Sequence, residues 1–186
     1  MDNIYHDSIL LIGGMSIGKS TISKLLSEKT NMKVISTDAV RSNLLNTISN
    51  YSFEKQLEIR KEKGYKGEME YLIPYTNKTI NKVIDELSDP SIIDIGAFFK
   101  NQLTDDLIEK IKQFKNIVLL YSDNNEEILK RRNIDPKSEI GQIYLETLNN
   151  NVLEELCTRK INVDNQSPEE IVNEIVKNSK NNLIRF

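Results

Sequence analysis

The residues with the most specific chemistry stand near the amino end, where Gly13-Gly14-Met15-Ser16-Ile17-Gly18-Lys19-Ser20 fits G-x-x-x-x-G-K-[ST] at every fixed position. Glycines in such a loop let backbone N–H groups turn inward and approach an anion closely. Lys19 supplies a point charge suited to the β- and γ-phosphates of a nucleoside triphosphate, and Ser20 offers a hydroxyl to Mg²⁺. A helix opening at this point adds the partial positive charge of its amino end. The octapeptide alone can arise as a glycine-rich turn with a surface lysine. Its context argues otherwise, because an apolar run, Ile9–Ile12, precedes it and an amphipathic stretch, 18–29, follows. Gly13 to Thr21 is therefore read as the binding loop for ATP with Mg²⁺, with Lys19 exposed in it.

Two acids and two arginines extend this chemistry. Asp38 follows Val34-Ile35-Ser36-Thr37, and Asp94 lies in Ile92-Ile93-Asp94-Ile95-Gly96, each at the carboxyl end of an apolar run. A carboxylate there can hold Mg²⁺ through water or orient an acceptor hydroxyl for attack. Asp94 is assigned to the metal with Ser20, and Asp38 to the acceptor. The plainer roles are a helix cap for Asp38, ahead of Ala39, and a loop-fixing carboxylate for Asp94. Lys130-Arg131-Arg132 closes a helical pattern over 125–132, just before Pro136. Cations in a lid neutralise charge on a transferring phosphoryl group, and Arg132 is the candidate. Basic residues in a last helical turn also simply favour the macrodipole.

These groups need a frame that brings distant segments together. Short apolar runs at 8–12, 33–36, 91–95, 117–121 and 160–163 alternate with helical patterns, the signature of a parallel sheet covered by helices. In 18–29, Ile22, Leu25 and Leu26 share a face; 104–114 begins behind Thr104 as a cap. The last helix opens on Ser167-Pro168-Glu169-Glu170, a capping box with proline at the first helical position. Residues 43–88 read as a substrate-binding insertion of two or three helices, broken near Gly64, Gly67 and Pro74. Residues 130–145 read as a lid, with a further long helical pattern beyond Pro136. No linker or repeat interrupts 1–186, so one domain is expected.

Bulk properties narrow the partners. The net charge of -3 gives no electrostatic footprint for nucleic acid or an anionic membrane. His6 is the only histidine, which excludes His-based metal sites and His-dependent nucleophile triads; Cys157, the only cysteine, reads as a small core residue. No apolar run is long enough to span a bilayer. A cytoplasmic protein is expected, a monomer or weak dimer, whose partners are ATP and a small-molecule acceptor.

The stretch Leu11 to Thr21, followed by Val34-Ile35-Ser36-Thr37-Asp38, resembles the opening of shikimate kinases, within the nucleoside-monophosphate-kinase-like group of P-loop kinases. The resemblance implies a three-layer α/β fold of the P-loop NTPase type, with a five-stranded parallel sheet of order 2-3-1-4-5 and helices on both faces. It implies that Asp38 contacts the acceptor hydroxyl, that Arg131 packs on adenine, and that 165–168, with Pro168, flanks the other side of that ring. Ser36 stands where that family has a first acid. Leu72 stands where it has an arginine gripping the acceptor carboxylate, and Gly141 where a lid arginine precedes Tyr144. Ile95-Gly96-Ala97 replaces a triple glycine. A carboxylate is therefore expected to lack charge partners in this acceptor pocket. The expected activity is transfer of the γ-phosphoryl of ATP to a small acceptor. A nucleoside or nucleotide kinase, or an ATP-binding switch without transfer, remains the alternative.

Overall fold

The computed structural model describes residues 2–47, 50–98 and 102–183. Five strands, β1 (Ile9–Ile12), β2 (Lys33–Ser36), β3 (Ser91–Asp94), β4 (Asn116–Tyr121) and β5 (Arg159–Asn162), pair in parallel in the order β2-β3-β1-β4-β5. The register sets Leu11 between Asp94 of β3 and Val118 of β4. A strand buried on both faces has no reason to alternate apolar with polar residues, and Ile9-Leu10-Leu11-Ile12 is closed to solvent throughout.

Alternate side chains of that strand still serve different cores, because successive Cβ atoms point to opposite faces. Leu10 and Ile12 pack with Ile80, Val83 and Ile84 of α4 (Phe53–Asp85) and with Leu107 and Ile111 of α5 (Asp105–Ile111). Ile9 and Leu11 pack with Ile22 and Leu26 of α2 (Lys19–Thr30) and with Ile171, Val172 and Ile175 of α9 (Pro168–Leu183). Truncating such a leucine to alanine costs about 2–5 kcal/mol, so each face independently holds the sheet that carries the site. A short α1 (Asp2–Asp7), which the sequence reading does not anticipate, closes one end, where Tyr5 meets Phe114 edge-on at 4.9 Å.

Several boundaries differ from expectation. α4 is continuous through Gly67 and Pro74 and departs from helical geometry only at Gly64, with φ 67° and ψ -166°. Pro74 costs one intrahelical hydrogen bond, which the flanking turns tolerate without a break. α3 (Thr37–Leu45) opens two residues earlier than expected, and its cap is Ser36, whose Oγ accepts from the Ala39 N–H at 3.4 Å. Asp38 is thus not the cap but lies in the first turn. The expected cap Thr104 precedes α5 without accepting a capping bond through its side chain. α6 (Asn125–Lys130) ends at Arg131, and beyond Pro136 come two helices, α7 (Glu139–Leu148) and α8 (Asn151–Leu156), divided at Asn149-Asn150. The capping box of α9 is formed, with the Ser167 N–H donating to the Glu170 carboxylate and the Glu170 N–H to Ser167 Oγ. Among the described residues no helix is long and apolar enough to cross a membrane.

Candidate active site

The loop between β1 and α2 takes its shape from backbone that few residue types adopt. Ser16 sits at φ 60° and Gly18 at φ 107°, left-handed backbone of the kind that turns successive N–H groups into an anion-binding concavity. The loop is also held from outside. The Met15 N–H donates to Thr147 Oγ1 of α7 at 3.1 Å, and a Cβ on Gly14 would lie 2.7 Å from the Leu148 Cα.

Lys19 is buried, contrary to the exposed position expected of it; its ammonium donates to the carbonyls of Gly13 and Gly14, both at 2.9 Å. Burial pulls its pKa below the ordinary lysine value, while the charges of Asp94 and Asp38 pull the other way. Asp94 ends β3 and accepts a hydrogen bond from Ser20 Oγ at 2.9 Å. Its carboxyl is held above the usual range, first by burial, against the opposing effects of Lys19 and Ser20. The parallel pairing of β1 with β3 makes this meeting possible across 74 residues of sequence.

Asp38 projects from the first turn of α3 over the chain that leaves β3. Gly96 lies beneath it: a Cβ there would be 2.4 Å from Asp38 Oδ1. Thr37 ties the two segments together, accepting from the Gly96 N–H at 2.8 Å and donating to the Asp94 carbonyl at 3.3 Å. Asp38 also pairs with Arg41 one turn along α3, at 3.1 Å.

One cavity of about 340 Å³ joins these groups. Met15 to Thr21, Asp38 and Asp94 line it, as does Arg132 from the segment after α6. The glycines that open the loop, Gly13 and Gly14, shape it from behind and are outside the lining, as are Arg131 and Pro168, both exposed. The sequence reading does not pick out the lining residues Arg41, Tyr65 and Met69 as site residues, and it notes Ala97 and Tyr144 only as parts of family motifs. A signal for Arg41 does exist: it follows Asp38 by three residues, so any helix there sets the two on one face.

The side of the cavity expected to take the acceptor differs from expectation in one respect. Leu72 is indeed buried away from the cavity, and at Gly141 a Cβ would lie 2.1 Å from the Asp135 carbonyl, so backbone occupies the space a lid arginine would need. Yet the pocket does not lack a cation, because Arg41 enters it from α3. Arg60, the other arginine near this region, is taken up by Glu68 at 3.4 Å and by the Tyr65 ring. Among the described residues no group of three or more His, Cys, Asp or Glu could cage a metal. Cys157 is half-buried and its thiol pKa is raised by burial, in keeping with a packing role.

No protein-family model matches the chain. A shikimate kinase of Enterococcus faecalis is 30% identical over 184 residues, spanning 94% of this chain and 99% of the relative. One of a Sulfurihydrogenibium species is 29% identical over 189 residues, with 97% and 99% covered. Among solved structures, a shikimate kinase from Acinetobacter baumannii in complex with shikimate is similar in fold, with a TM-score of 0.67 at 17% identity over 97% of this chain and 96% of that one.

Proposed function

The chain belongs to the shikimate kinase family, and on that premise we propose that the cavity between the phosphate loop and α3 is where the γ-phosphoryl of ATP passes to the hydroxyl of a small acceptor. The activity is that of an ATP-dependent kinase acting on a small molecule. The observation that carries the assignment of the site is the convergence of Lys19, Asp38, Asp94 and Arg132 on one cavity.

In the proposed reaction the acceptor oxygen attacks the γ-phosphorus, the bond to the β–γ bridging oxygen breaks, and ADP leaves. Asp38 orients the acceptor hydroxyl and takes its proton. Arg41 pairs with the carboxylate and Gly96 leaves room for it, while Thr37 ties together the two segments that bring them close. The loop N–H groups from Ser16 to Ser20 bind the phosphates, since those of Met15 and Thr21 are taken by Thr147 Oγ1 and the Gly18 carbonyl. Lys19, already desolvated, meets the β- and γ-phosphates with a charge that no bulk water screens. Arg132 offsets charge on the moving group from the lid side. Arg131 and Pro168, outside the phosphate cavity, would flank the adenine. Ser20 and Asp94 suit Mg²⁺, a hard cation that takes oxygen ligands and keeps several waters, since a hydroxyl and a carboxylate 2.9 Å apart are both oxygen donors. The metal, when bound, supplies charge neutralisation on the phosphates.

The test is ADP release over a panel of small hydroxylated acceptors, shikimate included, for the wild type and Asp38→Asn. The variant should bind MgATP as the wild type does and lose about 10²-fold or more in transfer. Since Ser36 rather than Asp38 caps α3, the loss should come without a fall in melting temperature. Equal transfer rates would remove Asp38 from the chemistry. A wild type that binds ATP and phosphorylates nothing would favour a nucleotide-dependent switch.

A further inference from the structure

We propose that Arg41 is the residue that selects the acceptor, and that the acceptor is a small hydroxylated anion whose carboxylate or phosphate docks on the Arg41 guanidinium beside the reacting hydroxyl. The proposal rests on the kinase reading for the identity of the site, but not for its own test.

The geometry of α3 carries it. The Arg41 side chain is only 22% exposed and is held at both terminal nitrogens: Nη1 donates to Thr76 Oγ1 of α4 at 3.1 Å, and Nη2 pairs with Asp38 Oδ1 at 3.1 Å. A guanidinium has five N–H donors, and these two contacts leave three, with the group already ordered. A planar, ordered fork with spare donors on a cavity wall is suited to a bidentate oxyanion, and its conformational entropy has been lost in advance. The remaining walls on this side, Tyr65, Met69, Ala97 and Tyr144, carry no formal charge, so beside the carboxylate of Asp38 the cation available to an oxyanion is Arg41. Lys19 and Arg132 belong to the phosphate side.

The pairing with Asp38 also fixes where the anion lies in the acceptor. Oδ1 faces Arg41, which leaves Oδ2 for the acceptor hydroxyl. Hydroxyl and oxyanion are then held by two groups in direct contact, so they are close neighbours on a short carbon skeleton. Neither Leu72 nor Gly141 can do this work, since one is buried outside the cavity and the other is packed on the Asp135 carbonyl. The arginine clamp is therefore supplied from a different helix, next to the acid rather than across the pocket.

Calorimetric titration of the ADP-loaded protein tests this without requiring turnover. The probes are glycerate and glycerol 3-phosphate, glycerol as their uncharged counterpart, and shikimate with its methyl ester. At least one anion should bind while its uncharged counterpart does not, and whether the carboxylates or the phosphate bind tells which oxyanion is taken. Arg41→Gln should weaken the bound anion by about 10- to 100-fold. Arg41→Lys should recover part of that loss, because it keeps the charge and loses the fork. In ADP release, Arg41→Gln should raise KM for the anion whatever it does to kcat through its ion pair with Asp38; a purely structural role would lower kcat with KM unchanged. Binding of glycerol as tight as that of the anions, undiminished anion binding in a folded Arg41→Gln, or no anion binding at all would each overturn the proposal. A kinase that phosphorylates only neutral acceptors would do the same while leaving the kinase reading in place. Anion binding that depends on Arg41 with no ADP release would sink the kinase reading and keep this one.

Discussion

Gly96→Ala isolates the placement of the Asp38 carboxylate from everything else in the protein. A methyl at position 96 would stand 2.4 Å from Asp38 Oδ1, 2.9 Å from Cγ and 3.0 Å from Oδ2. Ordinary contact begins near 3.4 Å, so Oδ1 must retreat by the difference from 2.4 Å, about 1 Å. The retreat is cheap for stability. The Asp38 side chain is 59% exposed, and its ion pair with Arg41 is of the surface kind that is worth about 1 kcal/mol at most. Replacing glycine by alanine outside the left-handed region returns a similar amount through the unfolded chain, roughly 0.4–1 kcal/mol. The net change should move the melting temperature by no more than about 2–4 °C. Catalysis is less forgiving, because a displacement of about 1 Å at a positioned group can cost on the order of 10²-fold. Steady-state ADP release with the best acceptor, alongside calorimetric MgATP affinity and a thermal melt, reads all three quantities. The expected result is unchanged ATP affinity, a nearly unchanged melt and kcat down by about 10²-fold. A wild-type kcat would refute the reasoning that this carboxylate works from its present position.

Gly14→Ala should show the opposite pattern: its Cβ meets the Leu148 Cα at 2.7 Å, backbone that cannot swing aside, so a melt should show about 1–3 kcal/mol of destabilisation with weakened MgATP binding, and an unchanged melt would refute the close approach. Asp94→Asn tests the buried acid by pH. Burial raises the Asp94 pKa, so between the ordinary value of 3.8 and the raised one the folded chain binds more protons than the unfolded, and stability contributed there at low pH is lost as pH rises through the raised value. The variant lacks that titration, so without nucleotide its melting temperature should gain on the wild type as pH rises through that window; parallel curves would show that Asp94 is not shifted.

The sheet was legible in the sequence because strands buried on both faces leave uninterrupted apolar runs such as Ile9–Ile12, and the phosphate loop because its glycine and lysine spacing is rigid. What escaped were features decided by partners far along the chain. The burial of Lys19 depends on loop carbonyls that fold over it, and Arg41 becomes a cavity residue only because Thr76 of α4 holds its guanidinium there. Of the three breaks expected in the insertion, the one at Gly64 is present, while Gly67 and Pro74 lie within continuous helix. Ser36 capping α3 was hidden behind Asp38, since either residue can cap and only the start of the helix decides.

That departure at Gly64 has a mechanical consequence. The space a side chain would fill there holds the Glu139 carboxylate, which accepts from the Tyr65 N–H at 2.8 Å. Glu139 begins α7, and Tyr65 lines the cavity, so this bond is a strut between α7 and the cavity wall. If α7 moves on nucleotide binding, as a lid would, it must either carry that wall with it or break a bond worth roughly 1 kcal/mol. On that reading, filling one half of the cavity would alter affinity in the other by about fivefold, the coupling that such a bond can transmit.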